Sequence, residues 1–266
     1  MKLDRTALDA HPLPSVVDGD KETKGRILVI AGSRAVPGAA LLTATAAMRA
    51  GAGKLTIATV KSAAVPLGIA MPEAMVVGLS DMDLDADAIV AGPGMSNEVD
   101  CTRIAEKLLA SDARIALDAA LLHALRPPKA NRSSLPVLLP HAGELASLLD
   151  CDEDEIERDP IGCGKRAAER YRSVVLVKGV TSHVVCPEGQ VWTYDGGAPG
   201  LGVSGSGDVL AGIVGGLLAR GAEPLDALLW AVWLHGEAGA ALAKNVGPIG
   251  FLAREIADEI PGLLPR

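Results

Sequence analysis

Short apolar runs alternate with longer segments of helical periodicity through most of this chain, and this alternation constrains the fold more than any other feature. The runs cover residues 26–32, 54–59, 74–79, 87–92, 114–119, 135–140 and 173–179. Their length and apolar content predict buried strands. Repeated strand–helix units predict an α/β fold, in which helices cover both faces of a mostly parallel sheet.

The composition agrees with such a sheet. Hydrophobic residues make up 49% of the chain but aromatic residues only 2%, so the core must consist of Ala, Val, Leu and Ile, which suits parallel sheets. Helices are predicted at residues 37–52, about 98–110, from 143, from 208, at 224–244 and at 251–260. Residues 182–194 predict a β-hairpin that turns at Pro187, Glu188 and Gly189.

No linker or internal repeat divides the 266 residues, so we predict one domain over residues 24–266, preceded by an N-terminal extension over residues 1–23. The extension has no apolar run typical of a secretion signal. The sequence contains no uninterrupted stretch of about 18 strongly apolar residues, so no membrane span is predicted. The net charge of −8 and the few aromatic residues argue against nucleic acid as a partner. Four cysteines without metal-site spacing favour reduced thiols in a cytoplasmic protein.

One carboxylate, Asp208, stands between a glycine-rich run and a long apolar segment in the sequence VSGSGDVLAGIVGGLL. The apolar spacing after it predicts a helix that begins near Asp208. Gly205 and Gly207 can adopt backbone angles closed to other residues, so several N–H groups can converge there with the helix N-terminus on one anion. Asp208 would then lie beside a phosphate. The alternative is that Asp208 only caps the helix.

Polar residues and glycines follow several of the predicted strands, and in open α/β sheets ligands bind at the carboxyl ends of the strands. The positions are Gly32 and Ser33, Gly92 and Gly94, His141, Lys178, and the glycine-rich loop before Asp208. Each has a structural alternative, since glycines form turns and His141 could be a hydrogen-bonded residue at a strand end. Their common placement favours a pocket at this edge. His235, in the middle of a predicted helix, is assigned a structural role.

Several of these motifs together resemble the ADP- or ATP-dependent NAD(P)H-hydrate dehydratases, which have a ribokinase-like fold. They are KGRILVIAGSRAVPGAALLTATAAMRAGAGKLTIAT, AGPGM, LDA, LPHAGE, VVLVKG and GSGDVLAGIVGGLLARGA, in the order and spacing of that family over about residues 24–260. The Gly-Asp segment alone is shared with other ribokinase-like kinases. The resemblance implies a three-layer sandwich. It also implies repair of hydrated NADH or NADPH by phosphorylation of the ring hydroxyl and elimination of phosphate.

The resemblance also implies roles for individual residues. Asp208 would accept the hydroxyl proton or contact the hydrate. The adenine nucleotide would lie along Lys178, Gly179, Val180, Thr181, Ser182, Gly205, Ser206 and Gly207. The hydrated coenzyme would contact Ala39 or Ala40, Gly94 and His141. Mg²⁺ would accompany the nucleotide phosphates, with no side chain assigned as its ligand, and the chain would form a homo-oligomer, a tetramer in many relatives. An epimerase domain, fused to the N-terminus of some relatives, is not expected.

The chain departs from the family pattern at several positions. Leu139 and Ala142 replace Thr and Pro in the PHxGE element, GVSGSGD replaces a more Thr-rich loop, and Ala198 replaces an Asn. Two other functions therefore remain open: a kinase of a small hydroxylated vitamin precursor, and a non-catalytic adenine-nucleotide binder. For the enzyme, the amides of residues 205–207 are expected to lower the pKa of Asp208 and keep the carboxylate ionised.

Overall fold

The computed structural model describes residues 1–15, 24–96, 98–128 and 130–265. Within them, one sheet contains β1 (Arg26–Ile30), β2 (Lys54–Thr59), β3 (Ala74–Gly78), β4 (Ala88–Ala91), β5 (Arg114–Leu117), β6 (Val137–Leu138), β7 (Val174–Val177), β8 (Ser182–Val185) and β9 (Val191–Tyr194). Their order is β3-β2-β1-β4-β5-β6-β7-β8-β9. Strands β1 to β7 are paired in parallel, and β7, β8 and β9 are paired antiparallel. The mostly parallel sheet is therefore confirmed.

Helices connect most of these strands. They are α1 (Gly38–Arg49), α2 (Lys61–Ala70), α3 (Cys101–Ala110), α4 (Ala120–Ala124), α5 (Ala142–Leu149), α6 (Glu153–Arg158), α7 (Pro160–Tyr171), α8 (Ser206–Ala219), α9 (Pro224–Asn245) and α10 (Ala253–Leu263). The prediction contained α1, α3, α5, α8, α9 and α10, with ends displaced by a few residues. Helices α2 and α7 were not predicted. Pro66 inside α2 and two glycines inside α7 conceal their helical periodicity.

The two faces of the sheet carry separate hydrophobic clusters. Alternate residues of β1 point to opposite faces, so Ile27 and Val29 pack with α1, α8, α9 and α10, whereas Leu28 and Ile30 pack with α3, α5 and α7. Helix, sheet and helix thus form the three layers that the resemblance implied. The cores on both faces are almost entirely aliphatic, as the composition predicts.

Helices α1 and α8 pack unusually closely on one face of the sheet, along a contact that we call the α1–α8 seam. A Cβ atom added at Gly212 would lie 2.2 Å from the Thr43 carbonyl oxygen, and one at Gly216 would lie 2.4 Å from the Ala47 carbonyl oxygen. Gly212 and Gly216 are four residues apart and share one face of α8. A Cβ at Gly215 would lie 2.1 Å from Val90 of the sheet. Glycine is therefore what allows α8 to approach both neighbours.

The N-terminal residues pair along the outer edge of β9. The Leu3 amide donates to the Thr193 carbonyl over 2.8 Å, and the Thr193 amide donates to the Met1 carbonyl over 2.8 Å. Leu3 and Leu8 are buried. Most of the second half of the predicted extension, residues 16–23, lies outside the described residues, and the boundary between extension and domain stays a prediction. Among the described helices, none combines the length and hydropathy that crossing a bilayer requires.

Candidate functional site at the carboxyl ends of the strands

The carboxyl ends of the parallel strands meet at one edge of the sheet, which we call the rim. Strand β1 pairs with β2 on one side and with β4 on the other, so the order in which strands are added to the sheet reverses between β1 and β4. In open sheets, ligands bind at the carboxyl ends of the strands at such a point. The Gly32 amide after β1 donates to the Pro93 carbonyl after β4 over 2.8 Å. A Cβ at Gly94 would lie 2.4 Å from the Ala39 Cβ. The glycines therefore bring the two loops together at this point.

The glycine-rich loop leads directly into α8. Gly205 occupies the N-cap position with φ of 90°, in the left-handed region that favours glycine. Ser206, Gly207 and Asp208 form the first turn of α8, where no preceding helical turn supplies acceptors for the N–H groups of Gly207 and Asp208. The interpretation of Asp208 as a helix cap is therefore wrong. Its carboxylate lies in the first turn, partly buried, on a helix that the α1–α8 seam fixes in place.

Lys178, immediately after β7, links the loop to two buried carboxylates. Its Nζ lies 2.8 Å from Asp118 Oδ1 and 3.9 Å from Glu144 Oε2. A Cβ at Gly207 would lie 3.8 Å from the same Nζ. The ammonium group therefore stands beside the first turn of α8, where it adds a positive charge to that of the helix N-terminus.

Asp118 is a functional candidate that the sequence analysis did not single out. It follows β5, is buried, and accepts hydrogen bonds from Lys178 Nζ and from the Ala119 amide. Ala119 has φ of 48°, a strained conformation for alanine. A Cβ at Gly92 would lie 1.7 Å from the Asp118 carbonyl oxygen. The motif LDA was the only signal in the sequence, and it does not reveal that Lys178 is the partner of Asp118.

His141 caps α5. Its Nδ1 accepts hydrogen bonds from the amides of Gly143 and Glu144, and the Glu144 carboxylate accepts one from the His141 amide. These hydrogen bonds agree with the alternative that His141 is a hydrogen-bonded residue at a strand end. Its side chain is nevertheless 60% exposed, and Nε2 lies 3.3 Å from Glu144 Oε1. Glu144 thus connects His141 with Lys178.

The pKa of Asp208 is raised to about 6, chiefly because burial penalises the charged carboxylate, and secondarily because Asp118 is negatively charged. Lys178 acts in the opposite direction but does not compensate. The expected lowering of this pKa is therefore wrong. The sequence shows the glycine-rich loop but neither the burial of the carboxylate nor the neighbouring Asp118, and these two effects outweigh the positive charge of Lys178.

A cavity of about 650 Å³ opens beside the loop, between the β8–β9 hairpin, α8 and α9. Six of the residues predicted to bind the nucleotide line it: Lys178, Gly179, Val180, Ser182, Ser206 and Gly207. Thr181 and Gly205 are not among its lining residues. His235 and Tyr194 also line it, although the sequence analysis assigned neither to a ligand. The cavity therefore unites segments that are far apart in the sequence.

Three of the residues predicted to contact the hydrated coenzyme, Ala39, Ala40 and Gly94, lie together where α1 meets the loop after β4, and none of them lines the cavity. Ala39 and Ala40 are almost wholly buried at the start of α1, so they offer little side-chain surface to a ligand. Gly94 is partly exposed and adjoins Ala39. A Cβ at Gly205 would lie 2.5 Å from Leu42 of α1 and 3.9 Å from Asp208 Oδ2, so Asp208 lies near the part of the glycine-rich loop that packs against α1.

Comparison with known proteins shows what family this arrangement represents. Residues 27–262 match the model of a family described as NAD(P)H-hydrate dehydratase. The chain belongs to this family. It is similar to the ADP-dependent (S)-NAD(P)H-hydrate dehydratase of Xanthomonas campestris, with 46% identity over 98% of this chain and 94% of that protein.

Two solved structures agree with the fold. The ADP/ATP-dependent NAD(P)H-hydrate dehydratase of Bacillus subtilis, co-crystallised with ATP/Mg²⁺, is 29% identical, with a TM-score of 0.90 over 98% of this chain and 96% of that one. A ribokinase-like superfamily protein of Enterococcus faecalis is 27% identical, with a TM-score of 0.86 over 98% of this chain and 94% of that one. The prediction of a ribokinase-like fold is confirmed.

Proposed function

We propose that this protein uses ADP or ATP to dehydrate hydrated NADH or NADPH and so restores the reduced coenzyme. Asp208 carries the proposal, because its carboxylate has a pKa of about 6 and stands in the first turn of α8, beside the loop amides. A general base works best when its pKa is near the working pH. The family match and the Xanthomonas relative support the same reaction.

We propose a separate task for each part of the rim. Asp208 accepts the proton of the ring hydroxyl while the hydroxyl oxygen bonds to the transferred phosphorus and the donor's own P–O bond breaks. The amides of Gly207 and Asp208, together with Lys178, stabilise the charge that spreads over the phosphoryl oxygens. Departure of phosphate, with loss of a proton from the neighbouring ring carbon, then restores the double bond.

Mg²⁺ is the counter-ion proposed for the nucleotide phosphates. In the part of the chain that the structure describes, no group of three or more His, Cys, Asp or Glu side chains forms a metal site. Mg²⁺ often keeps several waters and binds one or two carboxylates together with substrate phosphates. Asp118, the buried carboxylate beside Lys178, fits such a cation and would hold it together with the nucleotide phosphates. When bound, it would neutralise phosphate charge.

The decisive experiment incubates the protein with chemically hydrated NADH and ADP–Mg²⁺ and follows the absorbance of the reduced coenzyme. We expect recovery of that absorbance, and a loss of about 10²- to 10⁴-fold in turnover for Asp208→Asn, because a general base is removed. Asp258→Asn is the matched control, since this exposed carboxylate pairs only on the surface with Arg49. Full activity of Asp208→Asn would refute its role. A stable phosphorylated product from a vitamin precursor, with no coenzyme recovered, would favour the kinase alternative.

We further propose that the chain forms a homo-oligomer, a tetramer by the family resemblance. The exposed apolar side chains of Val65 and Ile69 on α2 and of Met75 on the adjoining edge strand support this, because such surfaces mark interfaces. Light scattering provides the test, and the mass of a single 27.2 kDa chain would refute the proposal. Localisation to the cytoplasm stays a prediction.

A further inference from the structure

His235 of α9 faces the first residue of α8 at the wall of the cavity. Its Nε2 lies 3.0 Å from Ser206 Oγ and 3.2 Å from the Ser206 carbonyl oxygen. Ser206 is buried, and both residues line the cavity together with Gly207. The imidazole therefore holds the residue that directly precedes the Gly207–Asp208 pair.

The two contacts determine which ring nitrogen carries the proton. A carbonyl oxygen can only accept a hydrogen bond, so the contact with the Ser206 carbonyl requires a proton on Nε2. The same N–H is then shared with Ser206 Oγ, which accepts it. The hydroxyl proton of Ser206 cannot also be donated to this nitrogen and is left to donate in another direction. The hydroxyl group is therefore oriented as a donor.

His235 is neutral at neutral pH, so the ring carries one proton, which the contact with the Ser206 carbonyl places on Nε2. Burial, aided by the positive charge of Lys178, lowers the pKa of His235 to about 4. The ring is thus neutral at neutral pH and adds no charge to the rim. A neutral ring leaves the field of Lys178 and the helix end unchanged while it fixes the position of Ser206.

The backbone of Ser206 cannot take over the donor role of the side chain. Its amide already donates to the Val203 carbonyl over 3.1 Å, within the glycine-rich loop. The hydroxyl group is then what Ser206 offers to a ligand in the cavity. Beside the first-turn amides of α8, a donor at this position suits a phosphate oxygen.

We propose that His235 is a positioning residue that orients the Ser206 hydroxyl group as an additional donor to a phosphate of the bound nucleotide. The proposal rests on the proposed function only in taking an adenine nucleotide as the ligand. A hydrogen bond to a charged group should contribute about 10- to 100-fold in affinity, which corresponds to about 1.4–2.7 kcal/mol. His235 thus has a role in phosphate binding beyond the structural one assigned from the sequence.

The test is a double-mutant cycle measured by calorimetric binding of ADP–Mg²⁺ and of adenosine, which has no phosphate. We expect Ser206→Ala and His235→Leu each to weaken ADP binding about 10-fold or more and to leave adenosine binding within about 2-fold. The double variant should be no weaker than either single variant, because both changes remove the same contact. His235→Gln keeps an N–H donor and should retain most of the affinity.

Three results would overturn the proposal: unchanged ADP binding in Ser206→Ala, equal losses for ADP and adenosine, or fully additive losses in the double variant. If His235→Leu does not fold, as judged by its thermal transition, Ser206→Ala and His235→Gln still decide. Binding is measured without turnover, so inactivity of the wild-type protein on hydrated NADH would refute the proposed function alone. Absence of ADP binding by the wild-type protein would refute both.

Discussion

Helix α8 belongs to two regions that are built in opposite ways. Its middle turns form the α1–α8 seam, where Gly212 and Gly216 lie so close to backbone carbonyls of α1 that a Cβ at either position would not fit. Its first turn belongs to the rim, where Asp208 is buried against its preference for water and its pKa is raised to about 6. The seam stabilises the fold through close packing. The rim instead keeps polar groups away from water, which is unfavourable for a charged carboxylate such as Asp208.

This contrast explains how a strained site persists. Buried carboxylates near one another destabilise a protein unless the surrounding structure holds them in place. In this molecule the same rigid helix carries both regions, so tight packing one turn away holds the base at the rim. Changes in the seam should therefore affect stability, whereas removing the charge of Asp208 at the rim should affect stability and function in opposite directions.

The largest effect on stability is expected from Gly216→Ala in the seam. The added methyl group would meet the Ala47 carbonyl oxygen at 2.4 Å, and a backbone atom cannot rotate away. We expect the free energy of unfolding to fall by about 3 kcal/mol, as in overpacked cores. Gly262→Ala is the matched control, because a Cβ at this position of α10 meets nothing within 4 Å. It should stabilise the protein by about 0.5–1 kcal/mol in denaturant titration. Equal stability of the two variants would contradict the account of the seam.

The next effect is expected from Lys178→Met at the rim. This change leaves Asp118 as a buried carboxylate without its 2.8 Å cationic partner. We expect a loss of about 2 kcal/mol, somewhat below that for fully buried pairs because Lys178 is partly exposed. The double variant Lys178→Met/Asp118→Asn should recover most of this loss, since the amide still accepts the hydrogen bond from Ala119. No recovery in denaturant titration would argue against the pairing.

Removing the charge of Asp208 should have the opposite sign. Its pKa in the folded protein, about 6, lies above the ordinary value of 3.8, so the folded state binds the proton more tightly than the unfolded state. The ionised carboxylate therefore destabilises the fold at neutral pH, and Asp208→Asn should raise the free energy of unfolding by about 1–3 kcal/mol. The difference should shrink as the pH falls from about 6 and should disappear below about pH 3, where the carboxyl group is protonated in both states. Loss of stability at pH 7 would show that the carboxylate is better solvated than proposed.

The pH dependence of catalysis gives the smallest effect. Asp208 acts as a base only when it is ionised, so kcat/KM should fall as the pH drops below about 6. At pH 5 we expect about one tenth of the plateau value. The Asp258→Asn control should follow the same curve as the wild-type protein. A profile that stays flat to pH 4.5 would mean that the pKa of Asp208 is not raised.

The sequence alone predicts the framework of the fold because strand and helix signals are local. Strand β2 was predicted at its observed bounds, Lys54–Thr59, and the hairpin of β8 and β9 turns where expected. The residues of each strand or helix carry the apolar pattern themselves, so the element can be predicted without knowing which distant residues it packs against. Helix α7 was missed because its glycines contradict a pattern that tertiary packing nevertheless supports.

The site was predicted less completely because its chemistry depends on distant pairs. The loop residues and Lys178 were recognisable as motifs, but the partnership of Lys178 with Asp118 joins positions 60 residues apart in the chain. The contact of His235 with Ser206 joins positions 29 residues apart. The direction of the pKa shift of Asp208 depends on burial, which has no local signature. The structure therefore adds the contacts between distant side chains and the burial of Asp208.

The pairing of the first residues with β9 bears on association between chains. An open strand edge exposes N–H and C=O groups that can pair with any other extended chain, which is a route to aggregation. Here Met1 and Leu3 take up hydrogen bonds of Thr193, and the Met1 amino group donates to the Val191 carbonyl over 2.7 Å. Loss of these hydrogen bonds would uncover the β9 edge and favour self-association of the protein through that strand.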